Sequence, residues 1–279
     1  MNNPKRHHFV SQMLLKRFAD QKNFMYVYNK KAPHIGFRHQ HIDSNFFERY
    51  LYSSITNNGM RDAALEIQFS RKEGTWSSTI ANIINAAKSG NNRFSPGDLA
   101  NIGEFLYYQW IRTPDFIKQL SATQNADATL KRIIDTAVSE GTLTNDQRKE
   151  LDDPEVLARI KQNSIVQALG NARAEALEVL KRSKFHIAVL TAGQTEFVIG
   201  SFPVVLVAGQ GQAVAAKPKM ELWLPIASDV AIYPDVIAGT TDIISMSDSR
   251  VVEINRAIAR QSTLTGAKSR QTLAQIITL

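Results

Sequence analysis

His7 and His8 stand side by side near the start of the chain. Neutral imidazole takes or gives a proton near pH 7, and imidazolium can stabilise a phosphorane. Two adjacent imidazoles on irregular backbone reach different sides of one substrate, so the pair reads as catalytic. Two blander readings stay open: a pair that bonds to backbone groups and locks the N-terminus onto the fold, or a plain surface pair. Their surroundings are basic. Residues 1–41 hold eight Lys/Arg (Lys5, Arg6, Lys16, Arg17, Lys22, Lys30, Lys31, Arg38) against the single acid Asp20, while the rest of the chain is neutral, giving the net charge of +7. The same stretch carries His34, His39 and His41, so five of the six histidines lie there. A cationic, imidazole-rich end on a balanced body suits an anionic partner, most simply a phosphate backbone, with Lys5 and Arg6 as substrate-binding candidates.

Carboxylates and a guanidinium complete the candidate set. Glu66 and Glu73 are seven residues apart, on one face of a continuous helix and roughly 10 Å along its axis. That is too far to share a metal ion unless Gly74 bends the helix. Each could pair with a histidine or arginine of the N-terminal segment, or simply face solvent. Gln109 and Arg112 share a helical face. The Arg112 fork could hold a phosphate, or cap the carbonyls at its helix end. His39-x-His41 could present two imidazoles on one strand face, but no Asp-x-Asp or His-Glu-x-x-His spacing supports a dedicated metal cage. The cofactor is therefore left open, a divalent metal being compatible but unsupported by ligand spacing. Gly209-Gln210-Gly211 lacks a strand–turn–helix context and reads as a hairpin loop. Ser201 lacks the Gly-x-Ser-x-Gly elbow of a nucleophile.

The elements that must position these groups follow from periodicity. Apolar spacing predicts a short helix over 9–19 and a strand over 23–29, with a loop over 30–44. Helices are expected over 61–88 with an interruption at Gly74, and from Ser95-Pro96-Gly97-Asp98 to about Arg112, where Thr113-Pro114 stops the helix. Further helices are expected over 116–140 and 147–184, broken near Gly141 and Asp153-Pro154. From Phe185 on, short branched and aromatic runs punctuated by Gly and Pro read as antiparallel strands, followed by a helix over 248–262. The expected fold class is α+β, with a mainly helical N-terminal two-thirds and an antiparallel β-sheet formed largely by the C-terminal third. Residues 1–184 would hold the basic segment and the helical region, and 185–279 the strands and last helix, packed as one unit. At 279 residues with 43% hydrophobic and 21% charged side chains, the chain needs no staple to fold. The lack of cysteine excludes disulfides, thiolate metal sites and a cysteine nucleophile. No apolar run approaches the ~20 residues of a bilayer span, and Met-Asn-Asn-Pro-Lys-Arg-His-His has no signal-peptide core. The expected location is cytoplasmic, with no membrane partner.

The stretch Lys5–Ala19 (Lys5-Arg6-His7-His8-Phe9-Val10-Ser11-Gln12-Met13-Leu14-Leu15-Lys16-Arg17-Phe18-Ala19) resembles the opening of the domain of unknown function 4238 family, whose members typically begin His-His-aromatic-Val-Pro-Gln. Ser11 replaces the usual Pro, which predicts a different turn before the helix. The resemblance extends to Glu66 and Glu73, to Gln109-Trp110-Ile111-Arg112-Thr113-Pro114, and to Phe197-Val198-Ile199-Gly200-Ser201-Phe202-Pro203-Val204. In the last motif Ser201 and Phe202 stand where Asp and Asn are usual. The family name conveys no activity. From the residues, the leading expectation is a nuclease-type phosphodiesterase, a toxin or phage-defence effector. In it His7 or His8 acts as acid or base, Glu66 or Glu73 orients it, and Gln109 and Arg112 hold the substrate phosphate. The rivals are a non-catalytic module binding nucleic acid or an acidic protein, and an enzyme acting on a small nucleotide.

Overall fold

A computed structural model describes residues 4–123, 125–171, 173–209, 220–235 and 241–277. The N-terminal segment holds β1 (Arg6–His8), α1 (Gln12–Leu15), β2 (Phe24–Asn29), β3 (Arg38–His41), β4 (Phe47–Arg49), β5 (Ser54–Ile55) and β6 (Arg61–Asp62). The helical region follows with α2 (Ala64–Lys88), α3 (Pro96–Ile111), α4 (Pro114–Thr123), α5 (Ala126–Ser139), α6 (Asn145–Leu151), α7 (Pro154–Gly170) and α8 (Ala174–Arg182). The last part holds β7 (Lys184–Val189), β8 (Ile199–Gly200), β9 (Val205–Ala208), β10 (Met220–Ala227), β11 (Val230–Asp235), β12 (Asp242–Ile244), α9 (Asp248–Gln261), β13 (Leu264–Ala267) and α10 (Arg270–Ile276).

The class is α+β, but the strands are spread through the chain and not gathered in its last third. Among the described residues a five-stranded sheet runs β12-β7-β11-β10-β9, with β12 parallel to β7 and the other pairs antiparallel. A four-stranded sheet runs β3-β2-β13-β8, so it joins strands from the two ends of the chain. Two short ribbons, β1-β4 and β5-β6, complete the set. The polar strands Arg6-His7-His8 and Arg38-His39-Gln40-His41 show no apolar alternation; β1 is held by pairing with β4, and β3 by pairing with the preceding strand β2.

Local differences have local causes. The expected helix over 9–19 is only α1 plus a 3₁₀ turn at Lys16–Phe18, because β1 and the Phe9 N–H···Phe46 O bond (3.0 Å) hold the chain extended before Ser11. Ser11 sits at φ −60° and ψ 141°, a region proline also occupies, so the serine keeps the turn that the usual proline would make. The loop over 30–44 contains β3. Gly74 leaves α2 unbroken. Helix α3 starts as expected, Ser95 Oγ accepting the Asp98 N–H at 3.0 Å with Pro96 in the first turn. The Gly209-Gln210-Gly211 hairpin lies, beyond Gly209, outside the described residues.

An aromatic seam joins α2 to α3. Trp76 packs on Phe105 and Tyr108 (ring centroids 5.6 and 5.8 Å), and Phe69 on Tyr108 at 5.5 Å. Gly103 lets α8 approach α3, since a β-carbon there would overlap the Leu180 carbonyl. The hydrophobic core runs from Leu14, Leu15 and Phe18 through this seam to Trp223 and Ile232 of the five-stranded sheet. Burial of this continuous apolar surface fixes the end of α3 against the N-terminal segment.

Candidate active site

The site begins with β1. It pairs antiparallel with β4, His7 opposite Glu48 and His8 opposite Phe47. Strand alternation then sends the two histidines to opposite sides. Phe46 and Tyr50, which bracket β4, both adopt left-handed backbone (φ 57° and 58°), uncommon for bulky residues. Phe46 is buried and its carbonyl is tied to Phe9, while the Tyr50 N–H donates to Lys5 O at 3.1 Å. The surrounding fold holds this strain where the N-terminal strand is locked in.

His7 is fully buried and both ring nitrogens are engaged. Nε2 donates to Pro4 O at 2.9 Å and Nδ1 accepts the Tyr52 N–H at 2.9 Å. This pattern requires the neutral ring. Burial pushes the His7 pKa down, against the raising effect of the Pro4 bond, and the Arg61 charge lowers it further. The Tyr52 ring stacks on the imidazole at 5.7 Å. Both ring nitrogens of His7 are thereby used in tying β1 to the fold.

His8 is half-buried beside Phe47, ring centroids 5.6 Å apart. Burial lowers its pKa, Asp43 raises it, and Arg112 and Arg6 lower it. Gln12 Nε2 lies 3.4 Å from His8 Nε2 and donates to Asp43 Oδ1 at 2.7 Å. The Arg6 guanidinium stacks over Phe47 at 4.8 Å, and Lys5 is exposed.

The Phe9 carbonyl ties the segment to α3. It accepts from Gln109 Nε2 at 2.9 Å and from Arg112 Nε at 3.1 Å. Arg112 is 1% exposed. Its Nη2 donates to Gln109 Oε1 at 3.4 Å, its carbonyl accepts the Tyr52 hydroxyl at 2.8 Å, and its guanidinium lies over Phe69 at 5.4 Å. Nη1 stands 3.0 Å from Glu73 Oε1, an ion pair by distance without hydrogen-bond geometry. Gln109 and Arg112 therefore point inward and do not reach an external phosphate as expected of substrate-binding groups. The Arg112 charge still reaches Glu66, whose charged form it favours.

Of the two expected carboxylates only Glu73 forms an ion pair, while Glu66 approaches the neutral His7 ring. Glu66 Oε2 lies 4.0 Å from His7 Nδ1, and Glu73 pairs with Arg112. Glu66 is 18% exposed and its pKa is pushed up to about 7 by burial, with Arg112 opposing and the Glu73 charge assisting. It lines a pocket of about 300 Å³ with Pro4, Ile67, Ser70 and Arg71. A carboxyl that changes charge near neutrality at a pocket wall is suited to proton transfer.

The structure thus brings His7, His8, Glu66, Glu73, Gln109 and Arg112 around the Phe9 backbone. Sequence reasoning missed Tyr52, which bonds both His7 and the Arg112 carbonyl, and Arg71 at the pocket. No motif signals either one. Among the described residues, no group of three or more His, Asp or Glu side chains is placed to hold a metal ion. Ser201, at the departure from the family pattern, gives its hydroxyl proton to Asp115 and accepts N–H bonds from Thr263 and Leu264, each 2.9 Å. Its oxygen is thereby fully used.

The profile of the family described as Protein of unknown function (DUF4238) matches residues 6–267. The chain belongs to this family. The match runs from β1 through β13, so it includes every residue of the Phe9-centred cluster of this DUF4238 chain. Comparison with curated proteins finds no match. Comparison with solved structures finds none either. Among the described residues no helix is long and apolar enough to cross a membrane.

Proposed function

We propose that this chain is a phosphodiesterase acting on nucleic acid, in which Glu66 exchanges the proton. The observation that carries the reading is the Glu66 carboxyl, half-buried at the wall of a pocket beside the Arg112–Glu73 pair and titrating at about 7. As water attacks phosphorus, Glu66 accepts the water proton while the P–O bond to the leaving oxygen breaks; the same proton is then available to that oxygen. Arg71 supplies positive charge at the pocket wall, the exposed Lys5 follows Pro4 of that wall in the chain, and Arg112 balances the two carboxylates from behind. His7 fixes β1, and His8, on the opposite side of the strand, is the accessible imidazole.

One observation favours a non-catalytic binding module instead: His7, Gln109 and Arg112, the most buried polar groups of the cluster, are all tied into the fold. The deciding experiment incubates the wild type and E66Q with labelled single- and double-stranded DNA and RNA across pH. Cleavage should turn on around pH 7 and fall at least about a hundredfold in E66Q, the usual worth of general acid–base catalysis. Intact nucleic acid with wild type, or undiminished cleavage by E66Q, would sink the enzyme reading.

A further inference from the structure

The basic, histidine-rich first 41 residues build a second surface besides the Phe9 cluster. In the register of β2 and β3, Phe24 faces His41 and Tyr26 faces His39. Directly opposed residues share one face of an antiparallel pair. The alternating Met25 and Val27 turn into the core, so Phe24, Tyr26, His39 and His41 stand together on the outer face. Their rings touch: His39 lies 4.6 Å from Tyr26 and 5.3 Å from Phe24, and His41 lies 5.3 Å from Phe24. Strand β3 is an edge of the four-stranded sheet, and His39 is exposed.

Beside these rings opens a pocket of about 930 Å³, walled by Lys16, Lys22, Lys268, Asp20, Phe24 and His39. All three lysines are exposed. Asp20 Oδ1 accepts the Lys22 and Phe24 N–H groups at 2.9 and 2.8 Å, and Oδ2 stands 3.7 Å from His39 Nε2. Its negative charge is thus answered within the protein. Glu196 lies near Lys268; burial raises its pKa and the Lys268 charge opposes that rise. The pocket edge keeps a cationic surplus next to flat rings.

This face connects to the cluster at His8. His41 Nδ1 lies 3.3 Å from Asp43 Oδ2, and Asp43 Oδ1 accepts from Gln12, which reaches His8.

We propose that this sheet face binds a single-stranded polynucleotide, its bases stacking on Phe24, Tyr26 and His39 and its phosphates lying against Lys16, Lys22 and Lys268. Rings on a sheet beside a cationic groove are the combination that holds unpaired strands, because a duplex hides its base faces. The inference rests on the polynucleotide substrate proposed above and adds which form is held, and where.

The test measures fluorescence anisotropy of a labelled oligo(dT) of about 12 nucleotides with full-length E66Q, so that hydrolysis does not intrude. Binding should weaken steeply with salt. K22E/K268E, at exposed positions, should weaken it at least about tenfold, and H39A about fivefold or more. Duplex DNA and heparin should bind less tightly than the single strand. Absence of binding, indifference to K22E/K268E, or equal binding of duplex or heparin would each overturn the inference. Binding that follows these variants while the wild type cleaves nothing keeps this surface and removes the enzyme reading. Cleavage with variant-independent binding does the reverse.

Discussion

Glu66→Gln removes a carboxyl whose folded-state pKa burial raises from 4.5 to about 7. Below 4.5 the carboxyl is protonated whether the chain is folded or not, and the substitution should change stability little. Between the two values the folded protein keeps a proton that the unfolded chain has released, so wild-type stability falls as pH rises. Above about 7 the loss is complete. A gap of about 2.5 pH units at 1.36 kcal/mol each bounds the effect at roughly 3 kcal/mol. The 18% exposure of Glu66 lets water recover part of that, leaving about 2 kcal/mol. Arg112 keeps Glu73 as its partner at 3.0 Å in the variant, so the guanidinium does not lose its counter-charge. For a chain of this length about 2 kcal/mol corresponds to a melting-point rise of roughly 3 °C. Urea unfolding of both proteins from about pH 5 to about pH 8.5 measures the difference directly. E66Q should gain on the wild type as pH rises and then hold a plateau above about pH 7.5. A pH-independent difference, or a variant less stable than wild type at high pH, would refute the placement of a charged Glu66 in a desolvated site.

His7→Ala should destabilise by about 2–4 kcal/mol in urea unfolding, because the Tyr52 N–H and the Pro4 carbonyl both lose their partner in a buried place. A change under about 0.5 kcal/mol, typical of surface positions, would contradict that tie. Arg112→Met should destabilise by about 3 kcal/mol, since Glu73 is left half-buried without its cation. The same variant should move the Glu66 titration, followed by carboxyl NMR, above its wild-type value, because the guanidinium favours the charged form.

The sequence by itself determined the elements whose signals are local. Ser95 and Pro96 start α3 and Thr113-Pro114 ends it, because caps and proline act within a turn. The family also follows from the chain alone, since the His-His opening and the Arg112-Thr113-Pro114 element fall within the matched residues. The concentration of charge and imidazole in residues 1–41 was equally plain. What each of those groups does was not.

Only tertiary structure separated His7 from His8, because strand pairing with β4 turns one ring inward and the other outward. It also turned Arg112 from an expected phosphate ligand into a buried anchor, since the acceptor of its Nε, the Phe9 carbonyl, is 103 residues away. The proton affinity of Glu66 arises from burial between segments that meet only on folding. The ring cluster of Phe24, Tyr26 and His39 depends on the β2–β3 register, while β13 brings the C-terminal end of the chain to the same sheet. Pairing, burial and desolvation are properties of neighbours in space, and local residue order carries them only where those neighbours are also close in sequence.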